Sequence, residues 1–230
     1  MAAAFDTPRI SQGLQSMCAN YTPTRQVAWE SAFRATFPAA TLKTESFPGY
    51  DAPIITNEDR NDGVVATFGL LPSWAKPDLV RSTYNARSET AALKPSFRNA
   101  WKRAQFCIIP AEVLYEPCYE SGKPERWAIR EADHRPMGIA GLWEARKEGG
   151  LLRYSFAMLT INADAHSLMK HMHKPTDEKR MVVILDRDHY EDWLHTTADN
   201  ALAWMAPYPA KHLVAEPAPK APEEKNLTLF

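Results

Sequence analysis

Phe106-Cys107-Ile108-Ile109-Pro110 and, just beyond it, Val113-Leu114-Tyr115-Glu116-Pro117 are short apolar runs closed by prolines, and both read as strand segments. Working outward, Arg126 to Arg130, Met137 to Glu144 and Tyr154 to Ile161 continue the pattern, with polar turns between them. These connections are too short for crossover helices, so the spacing predicts a mostly antiparallel sheet. Val64 to Leu71 reads as an earlier strand, behind the turn-rich connector Phe47 to Pro53 and the apolar pair Ile54-Ile55; Arg180 to Leu185 reads as a late one. Helices are few. Pro23 and Thr24 open one that carries Trp29, Phe33 and Phe37 at i, i+4 and i+8 and ends at Pro38. A second starts near Ser96 with Phe97 and Trp101 on one face, Asn162 and Asp164 cap a short third, and Asp188 to Leu194 forms a fourth. The fold class is α+β.

Composition narrows the function classes. A chain of 230 residues, 45% hydrophobic, can bury one substantial core. Lys+Arg 27 against Asp+Glu 28 gives no global attraction to nucleic acid, so any such site must be a local patch. Three cysteines, Cys18, Cys107 and Cys118, lack metal-ligand spacing and point to free thiols in a reducing compartment. No apolar run approaches the ~18 residues of a membrane span, and Met1 to Met17 lacks the apolar core of a signal peptide. The expectation is a cytoplasmic protein in which residues 1–17 are a leader or precede the true start, 18–206 form the working domain, and 207–230 form an extended tail. That tail holds Pro207, Pro209, Pro217, Pro219 and Pro222, with His212 to Ala215 as a candidate edge strand.

Three places carry chemistry. In Met17-Cys18-Ala19-Asn20-Tyr21, exposure of Cys18 at an N-terminus would create a 1,2-aminothiol. An α-amine with a pKa of about 7.7–8.0 can condense with an aldehyde, and the thiolate can then close the imine to a thiazolidine. The alternative is a small buried residue in a first strand. Arg81, Arg87, Lys94, Arg98, Lys102 and Arg103 face only Glu89 in the stretch they span, interleaved with aromatic residues and preceded by Trp74 between two prolines. Such a mixture suits a single-stranded nucleic-acid groove, in which cations track phosphates and rings stack bases, or else it is a solvated face with Trp74 as a hydrophobic plug. Glu116, behind an apolar run, is expected at a strand end in a partly desolvated pocket where it could exchange protons near neutrality. His171 and His173 lack the further ligands of a zinc site, and a single histidine there suits acid or base work.

Together Met17-Cys18, Asn85-Ala86-Arg87-Ser88-Glu89-Thr90, Leu114-Tyr115-Glu116, His173-Lys174-Pro175 and Arg180-Met181-Val182-Val183-Ile184-Leu185 resemble the SOS-response-associated peptidase (SRAP) family, over roughly Cys18 to Leu194. The resemblance implies a single domain with a barrel-like antiparallel sheet and packed helices, around a groove for single-stranded DNA with an abasic site. It implies a monomer that needs no cofactor or metal and meets the nucleoid when bound to DNA. By position it makes Cys18 the residue that attaches to the abasic sugar, Asn85 the group holding amine or sugar in register, Glu116 the proton shuttle and His173 the acid that opens the sugar ring. It also makes Arg87 a phosphate clamp and Trp74 and Pro53 stacking surfaces, with Arg81 and Arg98 further DNA contacts. Two departures stand out: residues 1–16 precede the Met-Cys pair, and Phe47 to Pro53 replaces an Asn-rich turn. Competing readings are an N-terminal-nucleophile hydrolase, a self-processing peptidase acting on the leader, and a non-covalent single-strand-binding module.

Overall fold

The computed structural model of the protein describes residues 19–220, so Cys18 and the segment before it lie outside the described residues. The strands are β1 (Asn20–Pro23), β2 (Asp51–Thr56), β3 (Val64–Phe68), β4 (Asn85–Arg87), β5 (Phe106–Cys118), β6 (Glu125–Glu131), β7 (Met137–Glu148), β8 (Leu151–Asn162), β9 (Arg180–Val182), β10 (Ile184–Leu185) and β11 (Leu213–Pro217). Four short helices accompany them: α1 (Gln26–Phe33), α2 (Ser88–Ala91), α3 (Arg98–Lys102) and α4 (Tyr190–Leu194). The runs Phe106 to Pro110 and Val113 to Pro117 are parts of one continuous strand, β5. Within β5, Pro110 sits opposite Gly138 of β7, and near it the strand changes partner on both edges. Its first half pairs with β2 and β7, and its second half with β1 and β6. A residue without an N–H is tolerated where a ladder is interrupted.

Strands β7, β8, β3, β2 and β5 pair in succession, and the β5–β7 ladder closes them into a ring. Most pairings are antiparallel; β3 and β4 run parallel to β8. The α+β, mostly antiparallel, barrel-like single domain expected from the sequence is the architecture observed. Closure removes the exposed edges that an open sheet would leave and encloses a core around Trp29, Trp143, Trp193, Phe68, Phe106 and Phe156. Phe106 anchors it, 4.6 Å from the Trp193 ring of α4 and 5.7 Å from the Trp101 ring of α3.

Local departures have local causes. Helix α1 stops at Phe33 rather than near Pro38, because Arg34 turns left-handed (φ 53) and Thr36 then bonds across to Asn61 and Gly63. Phe37 still packs edge-on against Trp29 from outside the helix. Asn162 and Asp164 do not cap a regular helix. The segment after them makes one 3-10 turn, Met169–His171, whose leading N–H groups are accepted by His166 Nδ1. The late strand is split at Val183, which donates to Leu159 of β8 and accepts from Ala140 of β7, so that β9 joins β8 and β10 joins β7. Beyond Pro207 the edge strand is realised as β11, antiparallel to β6 from Leu213 opposite Glu131 to Pro217 opposite Trp127.

Gly69 ends β3 with φ +120, and an added Cβ would lie 2.5 Å from the Val80 carbonyl oxygen and 2.6 Å from its Cα. Neither backbone can yield cheaply, so Gly69→Ala is expected to destabilise the protein by roughly 1–3 kcal/mol. Urea unfolding checks this, with a lowered midpoint and an unchanged slope as the expected outcome.

Candidate active site and nucleic-acid interface

The second half of β5 alternates inward and outward, and the period that buries Leu114 and Cys118 turns Glu116 the same way. Its carboxyl group is therefore buried, 3% exposed. Met172 bridges to Cys118, and the His173 N–H donates to the Pro117 carbonyl at 2.7 Å. His173 is consequently held left-handed (φ 64), a conformation that histidine tolerates better than most residues, and it is 6% exposed. Its Nε2 stands 3.6 Å from Glu116 Oε2 and makes no hydrogen bond among the described residues. An acid/base pair is thus assembled from residues 57 apart by one backbone bond to β5. His171 points elsewhere: its Nδ1 meets Glu120 Oε1 at 2.7 Å on the exposed side.

The loop that carries His173 is held from below by a buried cation. Lys179, 9% exposed, donates from Nζ to the His173 carbonyl at 3.2 Å and to the Lys174 carbonyl, while its own N–H donates to Asp164 Oδ1 at 2.9 Å. A buried ammonium needs acceptors, and these carbonyls take two of its three donors at the cost of fixing the loop.

Ala19 is the first described residue, and Asn20 starts β1 opposite Tyr115, the neighbour of Glu116. Asn20 is anchored at both ends of its amide: Nδ2 donates to the Ser46 carbonyl and Oδ1 accepts from Arg126 Nη2 at 2.9 Å. Arg126 also pairs with Glu45 at 2.8 Å and lies 3.4 Å above the Tyr115 ring. The chain that follows Cys18 therefore enters the sheet at the Glu116 end of β5.

Strand β4 lies parallel to β8, Asn85 opposite Met158 and Arg87 opposite Thr160. Buried Ala86 faces the core, so Asn85 and Arg87 share the other, half-buried side. Arg87 Nη1 pairs with Glu178 Oε2 at 2.8 Å. Arg180, 2% exposed, binds Glu178 Oε1 at 2.8 Å, both Glu89 oxygens at 2.9 and 2.8 Å, and the Thr160 carbonyl at 2.8 Å. Its hydrogen bonds hold the Glu178 and Glu89 carboxyls below the usual carboxylate range, so both are ionised at neutral pH. Two cations and two anions are interlocked, with Arg180 at the buried end and Arg87 at the solvent end.

The remaining residues named from the sequence are scattered. Trp74 is 59% exposed, in a loop held by Arg146 Nη1 donating to the Ala75 carbonyl, so it does not plug the core. Pro53 is buried within β2 opposite Val65, so the open stacking face implied by the resemblance is not presented there. Arg81, in the turn Pro77–Ser82, and Arg98, the first residue of α3, are exposed. Arg103 of the basic stretch is committed elsewhere, its Nη2 donating to both oxygens of Glu144, a carboxyl whose acidity burial weakens and Arg103 partly restores. A cavity of about 650 Å³ lies near Tyr154 and Ser155, at the other end of β8 from Thr160, and holds none of the site residues. No cluster of three or more metal-ligating side chains occurs among the described residues, and no described helix is long and apolar enough to cross a membrane.

Sequence reasoning passed over Arg126, Glu178 and Lys179. Arg126 has no periodic cue, but Glu178-Lys179-Arg180, three charges running directly into a buried strand, was a readable anomaly.

Abasic site processing protein YoaM of Bacillus subtilis (strain 168) is 30% identical over 175 residues, 73% of this chain and 74% of that protein. Abasic site processing protein HMCES of Gallus gallus is 28% identical over 153 residues, 55% of this chain and 43% of that protein. A crystal structure of a Bordetella bronchiseptica protein superposes with a TM-score of 0.81 at 37% identity, covering 88% of this chain and all of that one. A Bacteroides thetaiotaomicron protein shares the fold at 22% identity, with a TM-score of 0.72 over 86% of this chain and 90% of its own. Residues 17–221 match the family described as SOS response associated peptidase (SRAP), and the chain belongs to that family.

Proposed function

We propose that the protein recognises abasic sites in single-stranded DNA and joins them covalently through Cys18, capturing the lesion during the response to DNA damage. The observation that carries this reading is the buried Glu116–His173 pair, 3.6 Å apart, at the end of β5 where the chain enters two residues after Cys18. The names of its relatives as abasic site processing proteins support the substrate.

An abasic deoxyribose is mostly a closed hemiacetal. His173 gives a proton to the ring oxygen as the C1′–O4′ bond breaks, while the C1′ hydroxyl gives its proton to the Glu116 carboxylate, which exposes the aldehyde. The Cys18 α-amine adds to C1′, Glu116 moves protons between nitrogen and the new hydroxyl, and water leaves to give an imine. The thiolate then adds to the same carbon, the nitrogen takes up a proton, and a thiazolidine results; one water is lost overall. Asn85 keeps amine and sugar in register, Arg87 grips the neighbouring phosphate, and Trp74 offers a ring to a flanking base. No base-reading element is required, because an unpaired strand presents its sugars and base faces directly.

The reading requires Cys18 at the N-terminus, so intact mass under denaturing conditions comes first, before and after incubation with an oligonucleotide bearing one abasic site. The expected result is a starting mass with Cys18 first, then a gain of one oligonucleotide less one water. Cys18→Ala should abolish the adduct; an unchanged adduct would place the nucleophile elsewhere, and DNA affinity without any adduct would indicate a non-covalent binding module. His173→Ala is expected to slow adduct formation on the closed sugar by roughly 100-fold while sparing a simple aldehyde. Equal slowing on both would remove the ring-opening role. Arg87→Ala should weaken single-strand binding and flatten its log–log salt dependence by about 0.7, the contribution of one phosphate, as measured by titration across salt concentrations.

A further inference from the structure

The Arg87 guanidinium, offered to phosphate in the reading above, is already in contact with an anion of this chain. Glu178 Oε2 takes Arg87 Nη1 at 2.8 Å, while Glu178 Oε1 accepts from Arg180 Nη1 at 2.8 Å and from Asn162 Nδ2 at 3.2 Å. The two oxygens therefore have different duties. Oε1 is tied to a cation that is 2% exposed and also bound to Glu89 and Thr160; Oε2 reaches out to a side chain that is 38% exposed. The carboxylate cannot diffuse away when Arg87 is drawn to another anion. It remains tethered as a competitor at high effective concentration.

We propose that Glu178 sets specificity by competing with DNA phosphate for Arg87, so that undamaged single strands are held weakly and capture falls to strands in which covalent bonding follows. The proposal rests on Arg87 contacting phosphate. A strand without a lesion gains only the phosphate contact and must displace Glu178 to obtain it. A strand with an abasic site meets the same opposition on arrival, but the bonds formed at C1′ make the outcome independent of that equilibrium. Glu178 thus weakens reversible binding without weakening the final adduct. Half-exposed ion pairs of this kind are worth a factor of roughly two to five, which is the size of discrimination expected.

The test uses Glu178→Gln, which keeps the shape and an acceptor for Arg180, with Glu178→Ala as a second variant and thermal melting to establish that each is folded. Binding of undamaged single-stranded oligonucleotide is measured for the wild type, Glu178→Gln, Arg87→Ala and the double variant. Expected are a roughly two- to fivefold tighter complex for Glu178→Gln, no such gain in the Arg87→Ala background, and adduct formation on abasic DNA that excess undamaged strand inhibits more strongly than in the wild type. If Arg87→Ala weakens binding while neither Glu178 variant strengthens it, Glu178 only orients Arg87 and the proposal is overturned. A gain that persists without Arg87 would make the effect one of general charge and overturn it equally. If Arg87→Ala leaves binding unchanged, the phosphate contact itself fails, and that failure is separate from whether the wild type forms an adduct.

Discussion

The ladder between β5 and β7 is the constraint on which the rest depends. Phe106 to Ala111 pair with Leu142 to Met137, and this one antiparallel register turns an open succession of strands into a ring. Because β5 runs on past the ring to Cys118, its second half is a cantilever, paired to β1 and β6. The Glu116–His173 pair hangs from that extension. The extension turns Glu116 inward, offers the Pro117 carbonyl to His173 and receives the strand that follows Cys18. A slip of one residue would put Glu116 outside and Tyr115 inside, so the closure register and the position of the carboxyl are one decision.

Burying charge beside this extension is costly, and the molecule meets the cost with pairing of two different kinds. Arg180 is matched by carboxylates on two sides, as a buried guanidinium with its fork of donors requires. Lys179 has no carboxylate partner among the described residues and is solvated by carbonyls of the loop it holds. The first arrangement secures α2 against β9 across 91 residues of sequence; the second secures a left-handed histidine. Left-handed backbone away from glycine persists only where its surroundings over-determine it, and His173 has a bond at its N–H and another at its carbonyl.

What could be read in advance follows from the range of each interaction. Strand positions, the Trp29–Phe33 stripe and the oddity of Glu116 are local patterns, visible because burial imposes a period on neighbouring residues. The β5–β7 closure and the parallel β3–β8 pairing leave no local trace, since any two apolar strands look equally able to pair. Helix α1 ended early for a reason that lies in Asn61 and Gly63, not in the helix. In the site, the resemblance named His173 and Arg87; the charged run Glu178-Lys179-Arg180 was visible as an anomaly, but that its glutamate meets Arg87 shows only once folding brings the two together. Trp74 was ambiguous for the opposite reason: a ring between prolines is plug or platform according to what the fold leaves beside it, and here it is left exposed.

The tripeptide Glu178-Lys179-Arg180 brings these themes together. Successive residues in an extended segment point to opposite sides. Glu178 and Arg180 therefore work on the β4 side, around Arg87, while Lys179 between them works on the loop of His173. One short stretch of backbone holds both the guanidinium proposed to grip phosphate and the imidazole proposed to protonate the sugar. Their separation is then set by strand geometry and not by two independently wandering loops. For a reaction at C1′ beside a gripped phosphate, a fixed distance between clamp and acid is what positioning demands, because a displacement of even 1 Å at a reacting centre can cost on the order of a hundredfold in rate.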